Sequence, residues 1–125
     1  MILENVAVVD SFKNSCAVVH SDSDTTIQRL NQEAAKVMYR ANENGFDIDE
    51  AHAITWITLN AAKSLGVDDK VGSLEAGKQG DVVVWNQNPF SVYAKAEQVF
   101  IDGAKVFDLN DDSYQAKSDF LLGQK

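Results

Sequence analysis

The chain has little of several residues that mark common protein classes. Its 125 residues include one cysteine (Cys16), one proline (Pro89) and two histidines (His20 and His52). One cysteine excludes an internal disulfide and is compatible with a reducing compartment. Because Cys16 lies in an apolar run, we expect it to be an inert packing residue.

Basic residues and long apolar runs are also scarce. The 11 Lys and Arg stand against 19 Asp and Glu, for a formal net charge of -8. Binding to phosphates requires clustered Lys and Arg, so we expect neither a nucleic-acid partner nor an anionic membrane surface. No apolar run approaches the roughly 20 residues that span a bilayer, and the N-terminus lacks the features of a signal peptide. A cytoplasmic protein is therefore expected.

One stretch organises the rest of the chain. Residues 16–19 are apolar and end in two valines, which predicts a buried strand. His20 and Asp22 follow, and at a period of two they point to the same side. A helix is predicted to leave from Asp24. A His and an Asp at the C-terminal end of a strand, before a loop and a helix, form the layout of a catalytic position in an α/β barrel or open sheet.

Helical periodicity accounts for most of the first 66 residues. Residues 1–12 keep helical spacing only weakly, whereas residues 24–44 form a strong amphipathic pattern that Gly45 ends. Another helix is predicted from an Asp49 N-cap to Gly66. His52 lies in its first turn and is expected to have a surface or capping role rather than to bind metal. The predicted buried stripe of this helix contains Ala51, Ile54, Ile57, Thr58, Ala61, Ala62 and Leu65.

The second half favours β-structure. Four glycines between residues 66 and 80 lead into residues 81–85, which predict a buried strand. The dipeptide Asp102-Gly103 between two apolar runs predicts a hairpin. Residues 110–125 have the pattern of a short amphipathic helix. The strand near residue 18 has no sequence-adjacent partner, so we expect part of the fold to be missing from this chain.

Few motifs suggest chemistry. Residues 72–78 have the glycine and lysine spacing of a phosphate-binding loop, but Gln79 lacks a hydroxyl and the loop precedes a strand. The candidates that remain are His20, Asp22 and Asp24. Their oxygen and imidazole donors suit a divalent metal, although catalytic zinc usually takes three protein ligands. The residues alone equally allow a structural alternative, in which His20 is hydrogen-bonded at a strand end and Asp22 or Ser23 caps the next helix.

Four stretches carry a family resemblance: residues 20–36, 54–66, 71–85 and 99–103. In order and spacing they resemble the C-terminal third of the amidohydrolase superfamily, in particular its imidazolonepropionase-like and prolidase-like branch. The family's paired histidines after the first strand have no counterpart here, nor do its lysine or carboxylate after the fourth strand and its histidines after the fifth and sixth. Ala61 stands where many members have proline, and Gly80 where many have alanine.

The resemblance implies an α/β fold. Residues 1–66 would be the C-terminal fragment of a (β/α)8 TIM barrel, with its last strand and closing helices. Residues 67–110 would be part of a small composite β-sandwich, and residues 111–125 a tail. It also implies a metal-dependent hydrolase of C–N bonds in amides, cyclic amides or dipeptide-like substrates. The complete enzyme would hold a divalent metal, for which zinc is expected.

Asp22 matches the aspartate that ends the eighth strand of the family. The resemblance implies that it ligates the metal and acts as general base, with His20 at most contacting such a ligand. Because a whole barrel takes about 250 residues, we expect this chain alone to be inactive. We also expect it to form a homo-oligomer, or to pair with the missing N-terminal barrel portion, burying residues 16–20. The alternative function is a non-catalytic binding or assembly module that keeps the terminal third of the fold.

Overall fold

The structure is a computed structural model that describes residues 5–114. Helices occupy the first part of this range and a three-stranded antiparallel sheet the second, which confirms the α/β class. The helices are α1 (Asn5–Asp10), α2 (Leu30–Glu43), α3 (Glu50–Ala53) and α4 (Leu59–Leu65), and the strands are β1 (Val82–Trp85), β2 (Ala96–Ile101) and β3 (Ala104–Asp108). Short 3-10 turns lie at Ile27–Arg29, Ile54–Ile57 and Asp112–Tyr114.

Helix α2 confirms the strong amphipathic pattern but begins later than predicted. It ends at the expected place, where Gly45 adopts a φ of 88°. The predicted start at Asp24 is wrong, because hydroxyl groups bind the backbone ahead of the helix. The Ser23 amide donates to Ser21 Oγ at 3.1 Å and the Thr25 amide donates to Ser23 Oγ at 3.3 Å. Such local bonds compete with helix formation.

The second predicted helix has the expected ends but is not continuous. Asp49 caps α3 by accepting a hydrogen bond from the His52 amide at 2.7 Å, and α4 ends at Gly66 with a φ of 69°. Between them the chain breaks at Thr58, whose φ and ψ are -130° and -93°. The predicted stripe is wrong at Ala51, Thr58 and Leu65, which are exposed. Ala53 and Trp56, which lie outside that stripe, are buried instead.

Trp56 forms the centre of a small core. It is fully buried and packs with Ala17, Ala34 and Ala53, which come from three separate parts of the chain. Small residues therefore let α2, α3 and the segment around residue 17 approach one large ring. Partly buried apolar residues surround this cluster: Val6, Val19, Val37, Met38, Ile48, Ile57 and Phe90.

The predicted strand at residues 16–19 is wrong. Residues 15–20 lie outside every helix and strand of the described range, because no neighbouring strand there offers a hydrogen-bonded ladder. Helical residues hold the segment instead. The Val19 amide donates to the Trp56 carbonyl at 3.0 Å, and Asn60 Nδ2 donates to the Ala17 carbonyl at 2.9 Å. Cys16 is exposed, so its expected packing role is also wrong.

The hairpin is confirmed. Asp102 and Gly103 have φ angles of 50° and 76°, the left-handed pair that a type I′ turn requires. Strand β2 pairs with β3 through Val99 and Phe107. Strand β1 exists as predicted but is not buried: Val83 and Val84 are 43% and 39% exposed. Consecutive strand residues point to opposite faces, so neither face of this edge strand is fully covered by residues 5–114.

A loop between β1 and β2 joins the sheet to the helices. Asn31 Nδ2 on α2 donates to the Pro89 carbonyl at 2.6 Å, and Asn88 Nδ2 donates to the Glu50 carboxylate at 2.8 and 2.9 Å. The predicted helix in residues 110–125 appears only as the 3-10 turn at Asp112–Tyr114, and its remainder lies outside the described residues. Among residues 5–114, no helix has the length and hydropathy to cross a membrane.

Candidate functional site

His20 and Asp22 lie together at the surface. His20 Nδ1 is 3.3 Å from Asp22 Oδ1, and the two side chains are 73% and 95% exposed. The structure thus brings together the two residues that were expected to share one side of the chain. Asp24 is also exposed. A carboxylate and an imidazole in this arrangement can accept, hold and donate a proton.

The loop that carries Asp22 is fixed at both ends. On one side, the Val19 amide donates to the Trp56 carbonyl and the Ala17 carbonyl accepts from Asn60, which fixes the loop to the helices. On the other, Ser21 Oγ donates to the Ser23 carbonyl at 3.1 Å and also contacts the Thr26 hydroxyl. Ser23 caps the turn at residues 24–26, because its Oγ accepts from the Thr25 amide and its carbonyl from the Ile27 amide, although it is not the N-cap of α2. Asp22 caps neither the turn nor α2, so the structural alternative is wrong for Asp22, whose side chain is left exposed.

The described residues do not make a metal site on their own. Residues 5–114 contain no group of three or more His, Cys, Asp or Glu placed to hold a metal ion. A catalytic zinc ion usually has three protein ligands, and within residues 5–114 the contact between His20 and Asp22 offers two donors.

His52 has the predicted surface role, with a partner that sequence reasoning missed. Its Nε2 contacts Asp10 Oδ2, and its ring meets Trp56 edge-on with centroids 6.0 Å apart. The imidazole is half exposed, whereas Asp10 is largely covered. The pair joins α1 to α3 beside a cavity of about 230 Å³. No local spacing signals it, because Asp10 and His52 lie 42 residues apart in sequence.

Lys78, the lysine of the phosphate-loop-like stretch, is bound within its own loop. Its Nζ donates to Ser73 Oγ at 2.6 Å and lies 3.5 Å from Glu75 Oε1. Ser73 Oγ also donates to Glu75 Oε1 at 2.7 Å. That hydrogen bond and the charge of Lys78 lower the pKa of Glu75. Lys78 thus stabilises its own loop through a hydrogen bond and an ion pair.

A second polar cluster surrounds Asp108 at the end of β3. Asp108 Oδ2 accepts from Lys105 Nζ at 2.8 Å and from Gln98 Nε2 at 2.9 Å, and Asp108 Oδ1 accepts from the Asn110 amide at 3.0 Å. These bonds, that of Lys105 first, lower the pKa of Asp108 to about 2. The ammonium of Lys105 also lies 5.2 Å from the centroid of the Tyr114 ring. Sequence reasoning missed this cluster, because cross-strand register alone brings Gln98 to it.

Comparison with known proteins defines the class. A profile of the Amidohydrolase family matches residues 10–111, most of the chain. The chain therefore belongs to the amidohydrolase family, which confirms the resemblance in its sequence.

Particular relatives are imidazolonepropionases. The chain is 54% identical over 41 residues to the imidazolonepropionase of Shewanella oneidensis, an alignment that covers 33% of the chain and 10% of the relative. It is 42% identical over 65 residues to that of Phocaeicola vulgatus, covering 48% and 16%. The solved structure of an amidohydrolase from Thermotoga maritima MSB8 is 31% identical with a TM-score of 0.70, covering 85% of the chain and 26% of that protein. The chain thus spans about a quarter or less of these relatives.

Proposed function

We propose that the chain is the C-terminal part of a metal-dependent amidohydrolase that hydrolyses C–N bonds in small amides, cyclic amides or dipeptide-like molecules. The family match across residues 10–111 carries this proposal. The relatives named imidazolonepropionase support it. In this proposal residues 1–66 belong to the barrel, residues 67–110 to the β-sandwich and residues 111–125 to a tail. The free, exposed Cys16 is compatible with a cytoplasmic location.

Asp22 is the residue we propose for catalysis and for metal binding. Its carboxylate is almost fully exposed, and His20 lies against one of its oxygens. A carboxylate so placed can take a proton from water as the water attacks a carbonyl carbon, and can pass that proton to the departing nitrogen. His20 would orient the carboxylate. A divalent metal, zinc in our proposal, requires further ligands from outside residues 5–114.

The missing ligands imply that the isolated chain is inactive. In a barrel enzyme the loops after all eight strands form the substrate site, and this chain provides one of them. The chain would therefore work with the N-terminal barrel portion of a longer protein, or assemble with a second copy of itself.

A chimera tests this proposal. The matched segment of the Thermotoga maritima amidohydrolase is replaced by this chain, and zinc content and hydrolysis of imidazolones, N-acyl amino acids and dipeptides are measured. We expect turnover by the chimera and none by the 125-residue chain. Asp22→Asn should lower kcat by at least about 10²-fold, as expected for loss of a general base, whereas Asp24→Asn should change it little.

Two results would contradict the proposal. Stoichiometric zinc and turnover in the 125-residue chain would show that it is not a dependent part of a larger enzyme. Full activity of the Asp22→Asn chimera would remove Asp22 from the chemistry. A chimera that folds and binds zinc but never turns over would instead favour the alternative of a non-catalytic module.

A further inference from the structure

Asn60 binds the segment that leads to Asp22. Its Nδ2 donates to the Ala17 carbonyl at 2.9 Å, although the two residues lie 43 positions apart in the sequence. Asn60 is partly buried and Ala17 is buried. Ala17 lies five residues before Asp22. A side chain at the start of α4 therefore holds the stretch of chain that ends at the carboxylate proposed for catalysis.

A second hydrogen bond acts beside the first. The Val19 amide donates to the Trp56 carbonyl at 3.0 Å. In a continuous α-helix this carbonyl would accept from the Asn60 amide, but the chain leaves helical geometry at Thr58. In an extended chain, residues two apart face the same edge. The bonds at Ala17 and Val19 thus hold one edge of the segment at two successive positions, and we call these two bonds the clamp.

The clamp fixes the segment along its own length. Ala17 and Val19 also pack on the core around Trp56, but apolar packing has no preferred direction. Hydrogen bonds require a defined distance and angle. The clamp therefore opposes sliding of the segment over the core, which packing alone resists less well.

The turn after the segment transmits this position to Asp22. The Ser23 amide donates to Ser21 Oγ at 3.1 Å, and Ser21 Oγ donates to the Ser23 carbonyl at 3.1 Å, so the turn around Asp22 is closed by its own bonds. Val19 lies three residues before Asp22, a distance of about 10 Å in an extended chain. A shift of the segment would therefore displace the carboxylate.

We propose that Asn60 is a positioning residue for Asp22: its amide sets where the carboxylate lies relative to the bound substrate. The inference rests on the proposed function, because Asp22 is a general base only in that proposal. A misplacement of about 1 Å can lower a rate about 10²-fold. Loss of the Asn60 donor should therefore lower kcat and leave KM nearly unchanged, since Asn60 holds the base and not the substrate.

Asn60→Asp in the chimera tests the donor. Aspartate keeps the shape of the side chain but, when ionised, has no N–H for the Ala17 carbonyl. We expect kcat to fall at least about tenfold and KM to change less than about twofold. Asn60→Gln keeps the amide and should retain more activity. Asn42→Asp is the matched control, because Asn42 Nδ2 donates to a different backbone carbonyl, that of Ile48, at 2.8 Å.

A double-mutant cycle separates positioning from a general structural effect. If Asn60 acts through Asp22, Asn60→Asp should cost much less kcat in the Asp22→Asn chimera than in the chimera that keeps Asp22, because the group that Asn60 positions is already gone. A purely structural role would lower kcat by the same factor in both.

Hydrogen exchange in the 125-residue chain tests the clamp without turnover. Asn60→Asp should speed exchange at residues 15–22 severalfold, because the segment opens more often once a donor is lost. Asn42→Asp should leave exchange there unchanged. If circular dichroism shows that Asn60→Asp is unfolded, Asn60→Ala takes its place, since it lacks the donor and adds no charge.

Three outcomes would overturn the inference. The Asn60→Asp chimera could keep the kcat of the unsubstituted chimera. The loss of kcat could be the same with and without Asp22. Exchange at residues 15–22 could also stay unchanged in Asn60→Asp, which would decide the matter even if no chimera turns over. Absence of turnover in the unsubstituted chimera, by contrast, would contradict the proposed function.

Discussion

Gly72 lies close against α4. A Cβ at this position would lie 2.6 Å from Ala62 Cβ and 3.1 Å from Leu59 Cα, and its φ of 92° already disfavours side chains. Gly77 has nearly the same φ, 93°, but a Cβ there would meet nothing within 4 Å. The two glycines therefore separate the cost of the backbone conformation from the cost of a steric clash.

We expect Gly72→Ala to lower the free energy of unfolding by about 2 kcal/mol more than Gly77→Ala does, the usual scale of overpacking. Urea denaturation of both variants measures the difference. Equal losses would mean that α4 does not approach residue 72 as the structure shows.

Residue identity alone predicted part of the candidate site. His20 and Asp22 could be paired from their spacing, because neighbours two apart on an extended chain share a side whether or not a strand forms. The role of Cys16 could not be predicted. An apolar run indicates that some of its side chains are buried, but which ones depends on the element packed against it, and here that element covers Ala17.

At the scale of elements, the hairpin has a built-in dependence on pH. The folded-state pKa of Asp108, about 2, lies below its ordinary value of 3.8. The folded state thus binds this proton more weakly than the unfolded state does. The stabilisation is complete above pH of about 4 and is lost as the pH falls from there through the folded pKa. Hydrogen bonds from Ser113 lower the pKa of Asp111 in the same direction.

We expect Asp108→Asn to flatten the acid dependence of stability. The urea midpoint of the wild-type chain should fall more steeply between pH of about 5 and about 2 than that of the variant, since an amide has no ion pair with Lys105 to lose on acidification. Asp112→Asn removes an exposed carboxylate of the adjacent turn and serves as control. If the urea midpoints of the wild type and Asp108→Asn fall in parallel with pH, the cluster around Asp108 is not the source of the acid sensitivity.

Elements with local causes were predictable, and those with distant causes were not. Asp102-Gly103 forms its turn because the two residues themselves favour positive φ, so the hairpin followed from the sequence. A strand at residues 16–19 needs neighbours, and none lies within residues 5–114. The break at Thr58 likewise has no signal in the periodicity; it follows Trp56, which packs into the core.

For the whole molecule, the helices and the sheet meet through loops. Between the described elements, no strand packs directly against α1 to α4. The loop between β1 and β2 makes one link, and Asn31, only 8% exposed, holds it through Pro89. The loop before β1 makes another, because Gly72 lies against α4 and the Gly80 carbonyl accepts from the Gly103 amide. If the two parts divide near residue 66, as proposed, we expect them to open separately.

We expect Asn31→Ala to speed hydrogen exchange in residues 86–95 severalfold, because the partly buried Pro89 carbonyl loses its donor. Exchange in the β2–β3 hairpin should stay unchanged. Asn42→Ala on the same helix is the matched control, because Asn42 bonds the backbone of Ile48 and not the loop at residues 86–95. Mass spectrometry of exchanged peptides measures all three regions. Faster exchange in the hairpin as well would show one cooperative unit in place of two.

The thiol of Cys16 offers a practical consequence. It is the sole cysteine of the chain, it is exposed, and its Sγ lies 3.4 Å from the Asn60 carbonyl on α4. A maleimide dye would therefore attach at one defined position, six residues before Asp22. The fluorescence anisotropy of the dye would rise when another polypeptide binds near Cys16 and Asp22. No cysteine would have to be introduced for this measurement.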